Sequence, residues 1–380
     1  MNNPSLPAVS HELVTDATRL QTLCAAWQQM DAIALDTEFV RTNTYYAMLG
    51  LVQIYDGEQA RLLDPLQPDL QAPLATILGN AKLVKVLHSC SEDIQILQSY
   101  CGVEIVNVFD TQIAAAMSGF GFSLSYQKLV ESICGVQLPK DATRSDWLQR
   151  PLADAQLDYA ALDVIYLLDV YTRLRSQLER DQRLSWLQED CEELLTQVQT
   201  AVEQDELYLR VKVAWQLNPK ELHILRALCS WREEQAVQRD KPRNWIVSDR
   251  AFVALAKRQP TALQELNPID DLSSHAIKRY GKTLLDLIVR CTADEASMYP
   301  PSLPKPLGRG QNALLKKLKA LVRDKAEQLK VAPEVVVRKK DYEQLLRNAE
   351  SGELAANSLP GWRHAIIGTE LIDQIRQAYD

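Results

Sequence analysis

Apolar positions in the first 205 residues fall into two kinds of run. AIALDTEFV (32–40), LGLVQIYDG (49–57), QARLLDP (59–65) and KLVKVLH (82–88) are short and almost unbroken, as buried strands are. Between and after them, SEDIQILQSY (91–100) and AQLDYAALDVIYLLDVYTRL (155–174) repeat with helical period. The alternation predicts an α/β arrangement. Asp56-Gly57, set between two apolar runs, predicts a hairpin and so makes the first strands antiparallel neighbours. Beyond residue 205 the strand pattern stops. Helical periods cover 218–238, 248–259 and 274–291, with Asn218 and Ser248 placed as N-caps. The Pro-rich stretch YPPSLPKPLGRG (299–310) reads as a linker before a second helical unit.

At 380 residues the chain is long enough for two or three domains, and 46% hydrophobic with 24% charged residues is the balance of a water-soluble globular protein. Neither a run of transmembrane length nor the basic start and apolar middle of a signal peptide is present, which gives the expectation of a cytoplasmic protein with no membrane association. The seven cysteines include no C-x-x-C pair, so neither a zinc site nor a disulfide framework is indicated. Charge divides the chain more sharply. Residues 151–207 hold 13 Asp and Glu against 4 Arg, whereas 208–290 and 301–350 each carry a formal +6. A basic C-terminal half on an acidic protein suggests a polyanionic partner, with solvated helix faces as the alternative.

With no Gly-rich phosphate loop, no nucleotide cofactor is expected, and with no G-x-S-x-G elbow the candidate chemistry rests on acids. Asp36 and Glu38 interrupt the first strand two residues apart, so both side chains point to one face while Thr37 points to the other. Two adjacent anions repel, which suggests either a strand end in water or a bound cation. Asp93 sits in the first turn of a helix that Ser91 is placed to cap. Tyr159 and Asp163 are four apart and share a helix face among Ala160, Ala161 and Leu162. Each feature taken singly also has an ordinary structural reading.

Asp36-Thr37-Glu38 on a strand, Asp93 at a helix start and Tyr159-x-x-x-Asp163 on a later helix, in that order, resemble the three motifs of the DEDDy 3′-to-5′ exonucleases. LDTEFVRTNTYYAMLGLVQIYDG, LHSCSEDIQIL and SDWLQRPLADAQLDYAALDVIYL closely resemble the ribonuclease D family. WQLNPKELHILRALCSWREEQAVQRDKPRNWIVSD, with RYGKTLLDL later, resembles an HRDC domain, and about 310–375 resembles a weaker second copy. The resemblance implies an α/β nuclease domain over 1–205, with a ribonuclease H-like mixed sheet and flanking helices. Two small all-α HRDC-type domains would follow, over 206–295 and 296–380.

By the same resemblance, Asp36, Glu38, Asp93 and Asp163 hold two divalent cations, Mg²⁺ or Mn²⁺, and Tyr159 orients the attacking water. The implied reaction removes nucleoside 5′-monophosphates from the 3′ end of RNA, with transfer RNA precursors carrying 3′ extensions as the substrate class. Lys140, Arg144 and Arg150 are candidate phosphate contacts, and Tyr45 and Tyr46 candidate stacking faces for a base. His88 reads as structural. Ala47 departs from the family pattern, which has Pro there, and bears on loop stiffness rather than catalysis. A DNA exonuclease and an inert nucleic-acid-binding scaffold are the competing readings.

Overall fold

The structure is a computed structural model that describes residues 9–139, 145–200, 203–355 and 358–379. These residues form two compact units. One comprises residues up to 40, then 49–199 and 307 onward; the other comprises 41–48 and 200–306.

The first unit is built on a six-stranded mixed sheet. Its strands are β1 (His11–Val14), β2 (Ala32–Val40), β3 (Met48–Tyr55), β4 (Ala60–Leu63), β5 (Val84–Leu87) and β6 (Val108–Asp110), in the order β1-β4-β3-β2-β5-β6. β3 and β4 form the antiparallel hairpin expected from Asp56-Gly57, with Val52 opposite Leu63 and Tyr55 opposite Ala60. Gly57 takes φ +94°, a region open to Gly at little cost, and the Asp56 carboxylate accepts from the Glu58 and Gln59 amides at 3.0 and 3.1 Å. β1 runs parallel to β4, while β2, β5 and β6 run parallel to one another. β2 therefore lies inside the sheet, and its strand-long apolar run is explained by burial on both faces.

Helices α1 (Ala17–Trp27), α2 (Gln71–Leu78), α3 (Ser91–Cys101), α4 (Thr111–Met117), α5 (Tyr126–Cys134), α6 (Asp154–Ile165), α7 (Leu167–Arg180) and α8 (Leu184–Gln199) surround the sheet. Sequence periodicity predicts one helix over 155–174. Instead the chain turns at Tyr166, φ −96° and ψ −7°, and continues as α7. The Ala160-Ala161 pair, fully buried, lets α6 approach the sheet closely, and with Val164 it packs in one cluster with Ala34 of β2 and Leu62 of β4. Since alternate strand residues share a face, α6 covers the same side of β2 that presents Asp36 and Glu38.

The second unit holds α9 (Pro219–Arg239), α10 (Arg243–Ile246), α11 (Asp249–Arg258) and α12 (Ser274–Ala293) around its own core of Leu222, Leu225, Phe252, Leu284 and Ile288. Asn218 and Glu221 cap each other reciprocally at 3.0 and 2.9 Å, and Ser248 caps α11 by accepting from Ala251. His223, Cys291 and Asp294 approach within 4.8 Å of one another, but both His223 nitrogens are engaged, by Asp294 at 2.8 Å and Arg226 at 2.9 Å. A guanidinium already beside the ring makes this a hydrogen-bonded core histidine.

In the first unit, α13 (Arg309–Leu329), α14 (Pro333–Val336) and α15 (Lys339–Glu350) repeat the α9–α11 order. Each series is a long helix ending in a left-handed residue (Asp240 or Lys330), a four-residue helix, and an extended valine (Val247 or Val337) before the next helix. A helical run over 361–379 follows. This part packs on the nuclease core through Trp186 and Trp362, stacked 4.3 Å apart, and through Arg363, which pairs bidentately with Asp190 at 2.6 and 2.7 Å. No strand occurs after residue 205 among the described residues, and no helix among them is long and apolar enough to cross a membrane.

Candidate active site

Strand alternation brings Asp36 and Glu38 to one face, and α6 lays Asp163 against them. The carboxylates of these three residues lie within 4.8 Å of one another. Asp163 is flanked on α6 by apolar, buried residues, Leu162 and Val164, which fix this part of the helix in the core. One turn earlier, the Tyr159 hydroxyl lies beside the Asp163 carboxylate.

Asp93 stands apart from this trio. It begins α3 and is buried, it accepts a 2.5 Å hydrogen bond from the Thr37 hydroxyl, and its charge acts on both Asp36 and Glu38. Thr37, which the motif reading passes over, thus fixes the fourth acid. Ser91 proves to be the first residue of α3 and not its cap; Cys90 precedes it without a side-chain cap bond. Asp110, at the end of β6, instead holds the turn before α3 by accepting from the Ser89 and Cys90 amides at 3.2 and 3.0 Å. An acid directly before TQIAAAM was a visible N-cap signal, and Asp110 does cap α4.

Electrostatics follow from this crowding. Burial pushes all four carboxyls up, and neighbouring acids add to it for Asp36, Glu38 and Asp93: Asp93 to about 6, Asp163 to about 7 and Glu38 to about 8, with Asp36 raised well above the ordinary range. For Asp163 burial is the cause, opposed by the neighbouring Tyr159 hydroxyl. Tyr159 is raised as well, by burial and then by Asp163 and Glu38, so its phenol is neutral. Among the described residues, no basic group offsets these four carboxylates. Their oxygens are hard donors of the kind Mg²⁺ and Mn²⁺ prefer, and a divalent ion would convert the repulsion into coordination.

A loop shapes the other side of Tyr159. The Trp147 ring lies 6.2 Å from the Tyr159 ring, and Gly50 permits its approach: a Cβ at residue 50 would meet the Trp147 Cβ and carbonyl oxygen at 2.7 Å. Arg150, expected as a phosphate contact, spends all five of its donors on protein acceptors: Asp64 twice, and the Gly50, Trp147 and Gln149 carbonyls. Its place is as a brace for this loop. Lys140 and Arg144 lie outside the described residues. His88 bridges Thr111 and the Leu124 carbonyl at 2.9 and 3.0 Å, and burial lowers its pKa.

Tyr45 and Tyr46 belong to the second unit. The Tyr45 hydroxyl donates to Glu233, its ring lies 5.0 Å from the Arg243 guanidinium, and Asp240 accepts from both tyrosine amides. Tyr46 is the exposed one of the two.

Known proteins give this geometry its context. A family described as 3′-5′ exonuclease matches residues 11–179, and the HRDC domain matches 221–288. Ribonuclease D of Pseudomonas paraeruginosa is 40% identical over 96% of this chain and 97% of its own. That of Haemophilus influenzae is 35% identical over 96% and 92%. The crystal structure of Escherichia coli RNase D, described as an exoribonuclease involved in structured RNA processing, superposes with a TM-score of 0.90 at 33% identity, covering 97% of this chain and 99% of that one. With the acidic trio, the fourth acid on α3 and the tyrosine on α6 all in place, the chain belongs to the ribonuclease D family of 3′-5′ exoribonucleases.

Proposed function

We propose that the protein trims 3′ extensions from RNA, transfer RNA precursors above all, by two-metal-ion hydrolysis at Asp36, Glu38, Asp93 and Asp163. The observation that carries this reading is the set of largely buried carboxylates with no compensating cation among the described residues, three of them within 4.8 Å. Asp36, Glu38 and Asp163 would hold one ion, and Asp93, with Asp36, a second. A pair of divalent ions supplies a nucleophilic water and neutralises charge on the phosphoryl and leaving oxygens.

The chain's own residues then have separate tasks. The Tyr159 hydroxyl, a poor base because its environment raises its pKa, positions the attacking water by hydrogen bonding. Thr37 keeps Asp93 from turning away. Trp147, held by Gly50 and Arg150, limits where the Tyr159 ring can move. The basic surface of 208–290, which contains the HRDC match, would hold the body of a structured RNA by phosphate contacts, and we read 296–380 as a second, HRDC-like module. Its support is the repeated order of helices, with Asp240 and Val247 recurring as Lys330 and Val337.

Matched RNA and DNA oligonucleotides, incubated with Mg²⁺ and with EDTA, test the reading. RNA should be shortened from the 3′ end to 5′-monophosphates only with metal, and Asp36→Asn should abolish the reaction in a folded protein. Turnover by Asp36→Asn within about twofold of wild type would exclude the metal assignment; catalysis normally loses far more when a metal ligand is removed. Faster degradation of DNA would exclude RNA as the substrate class. Comparing a transfer RNA precursor with a short unstructured RNA tests the finer substrate assignment.

A further inference from the structure

The second unit contains a cavity of about 500 Å³ that the nuclease chemistry does not use. It lies entirely within that unit, between the 41–45 segment, the short helix Gln204–Arg210, α9 and α10, and four arginines line it: Arg41, Arg210, Arg232 and Arg243. Only two acids, Glu233 and Asp249, share the wall, which leaves a formal +2. Both acids are already paired, Glu233 with Arg243 at 2.5 Å and Asp249 with Arg232 at 2.7 Å.

Two further features point to a ligand. Trp245, at the cavity wall, is 63% exposed, the highest value for any large hydrophobic side chain among the described residues. An exposed indole on a basic rim has nothing to stabilise it in the protein alone, yet it is a ready stacking face. Arg232 is 94% buried, and its Nε has no hydrogen-bond partner, although its other nitrogens bond the Val247 carbonyl and Asp249. A buried unpaired donor costs stability unless an acceptor arrives.

We propose that this cavity binds one unpaired nucleotide of the RNA chain, its base stacked on Trp245 and its phosphate facing Arg210, with an acceptor available to Arg232. A mostly apolar ligand would leave the cavity's surplus positive charge unmatched, and an anion lacking a ring would leave Trp245 without a stacking partner. The volume falls within the range of single small-ligand pockets, so it fits a nucleotide and not a helical stem. The inference rests on RNA being the substrate class. It adds a second point at which single-stranded RNA is gripped, in a unit otherwise read as contacting phosphates non-specifically.

The test uses full-length Asp36→Asn protein, so that RNA is bound without being cut, and a hairpin RNA whose unpaired segment carries 5-iodouridine. Irradiation followed by mass spectrometry should map a cross-link to Trp245. Trp245→Ala should weaken binding by about 5- to 150-fold, the range for one base–aromatic stack, while Trp245→Phe retains most of the affinity. Arg210→Ala should lower the slope of log affinity against log salt by about one. Binding by Trp245→Ala within about twofold of its parent, with the cross-link mapping elsewhere, would overturn the proposal. So would free uridine monophosphate competing as well as the RNA does, since the pocket would then serve a free nucleotide. Failure of the RNA reading itself shows separately, as wild-type protein that leaves a short RNA intact in Mg²⁺.

Discussion

Asp163→Asn should make the metal-free protein more stable, and only above a definite pH. In the folded protein the Asp163 carboxyl titrates at about 7 instead of 3.8, because burial disfavours its charge. Between those values the folded state binds more protons than the unfolded chain, so stability falls as pH rises; the contribution is intact below about pH 4 and fully lost above about pH 7. A shift of about three pH units corresponds to about 4 kcal/mol, which is an upper bound because the site is partly open to solvent and its acids titrate together. A net gain of about 1–3 kcal/mol is therefore expected for the asparagine near pH 8 in EDTA, shrinking towards zero near pH 4. The substitution is nearly isosteric, so packing does not confound the comparison. Urea unfolding of both proteins at several pH values supplies the assay. Saturating Mg²⁺ near pH 8 should cancel most or all of this advantage, since ligand at about 100 times its dissociation constant stabilises the wild type by about 2.7 kcal/mol. An Asp163→Asn protein no more stable than wild type near pH 8 without metal would refute the picture of uncompensated buried acids.

Other substitutions probe the neighbours of the acids. Tyr159→Phe should lower kcat by about 10²-fold with little change in RNA affinity, and an unchanged rate in single-turnover assays would make the tyrosine purely structural. Thr37→Val removes the hydrogen bond to Asp93 and should reduce activity or metal affinity by about 10- to 100-fold, read from a Mg²⁺ titration of the rate. Gly50→Ala forces the Trp147 backbone away, and the kinetic cost should resemble that of Trp147→Ala; normal kinetics in both would remove this loop from the mechanism. Arg363→Ala should destabilise the first unit by about 3–5 kcal/mol in chemical unfolding, because it strands a largely buried Asp190.

The sequence made β2, the Asp56-Gly57 hairpin and the caps Asn218 and Ser248 readable, because each depends on a local pattern that the fold does not override. β1 and β6, four and three residues long, are too short to show a period and exist through pairing with distant strands. The break at Tyr166 was hidden for a related reason: residues on both sides keep helical spacing, and tertiary packing of α6 and α7 decides where the helix is interrupted. At the site, the five motif residues could be named because the resemblance set their order. Their support could not. Thr37 bonding to Asp93, Gly50 yielding to Trp147 and Arg150 bracing Asp64 join residues 56, 97 and 86 positions apart, and no local signal marks such pairs. The association of 307 onward with the nuclease core was equally invisible, since Trp186, Asp190, Trp362 and Arg363 look like ordinary helix residues until they meet.

The most direct test of the two-metal account is anomalous diffraction from crystals of Tyr159→Phe protein, which keeps every carboxylate, soaked with Mn²⁺ and a short RNA. The account predicts two manganese peaks about 3.5–4 Å apart, one among Asp36, Glu38 and Asp163 and the other between Asp36 and Asp93. A single peak with RNA bound, or manganese held by residues other than these four acids, would contradict it.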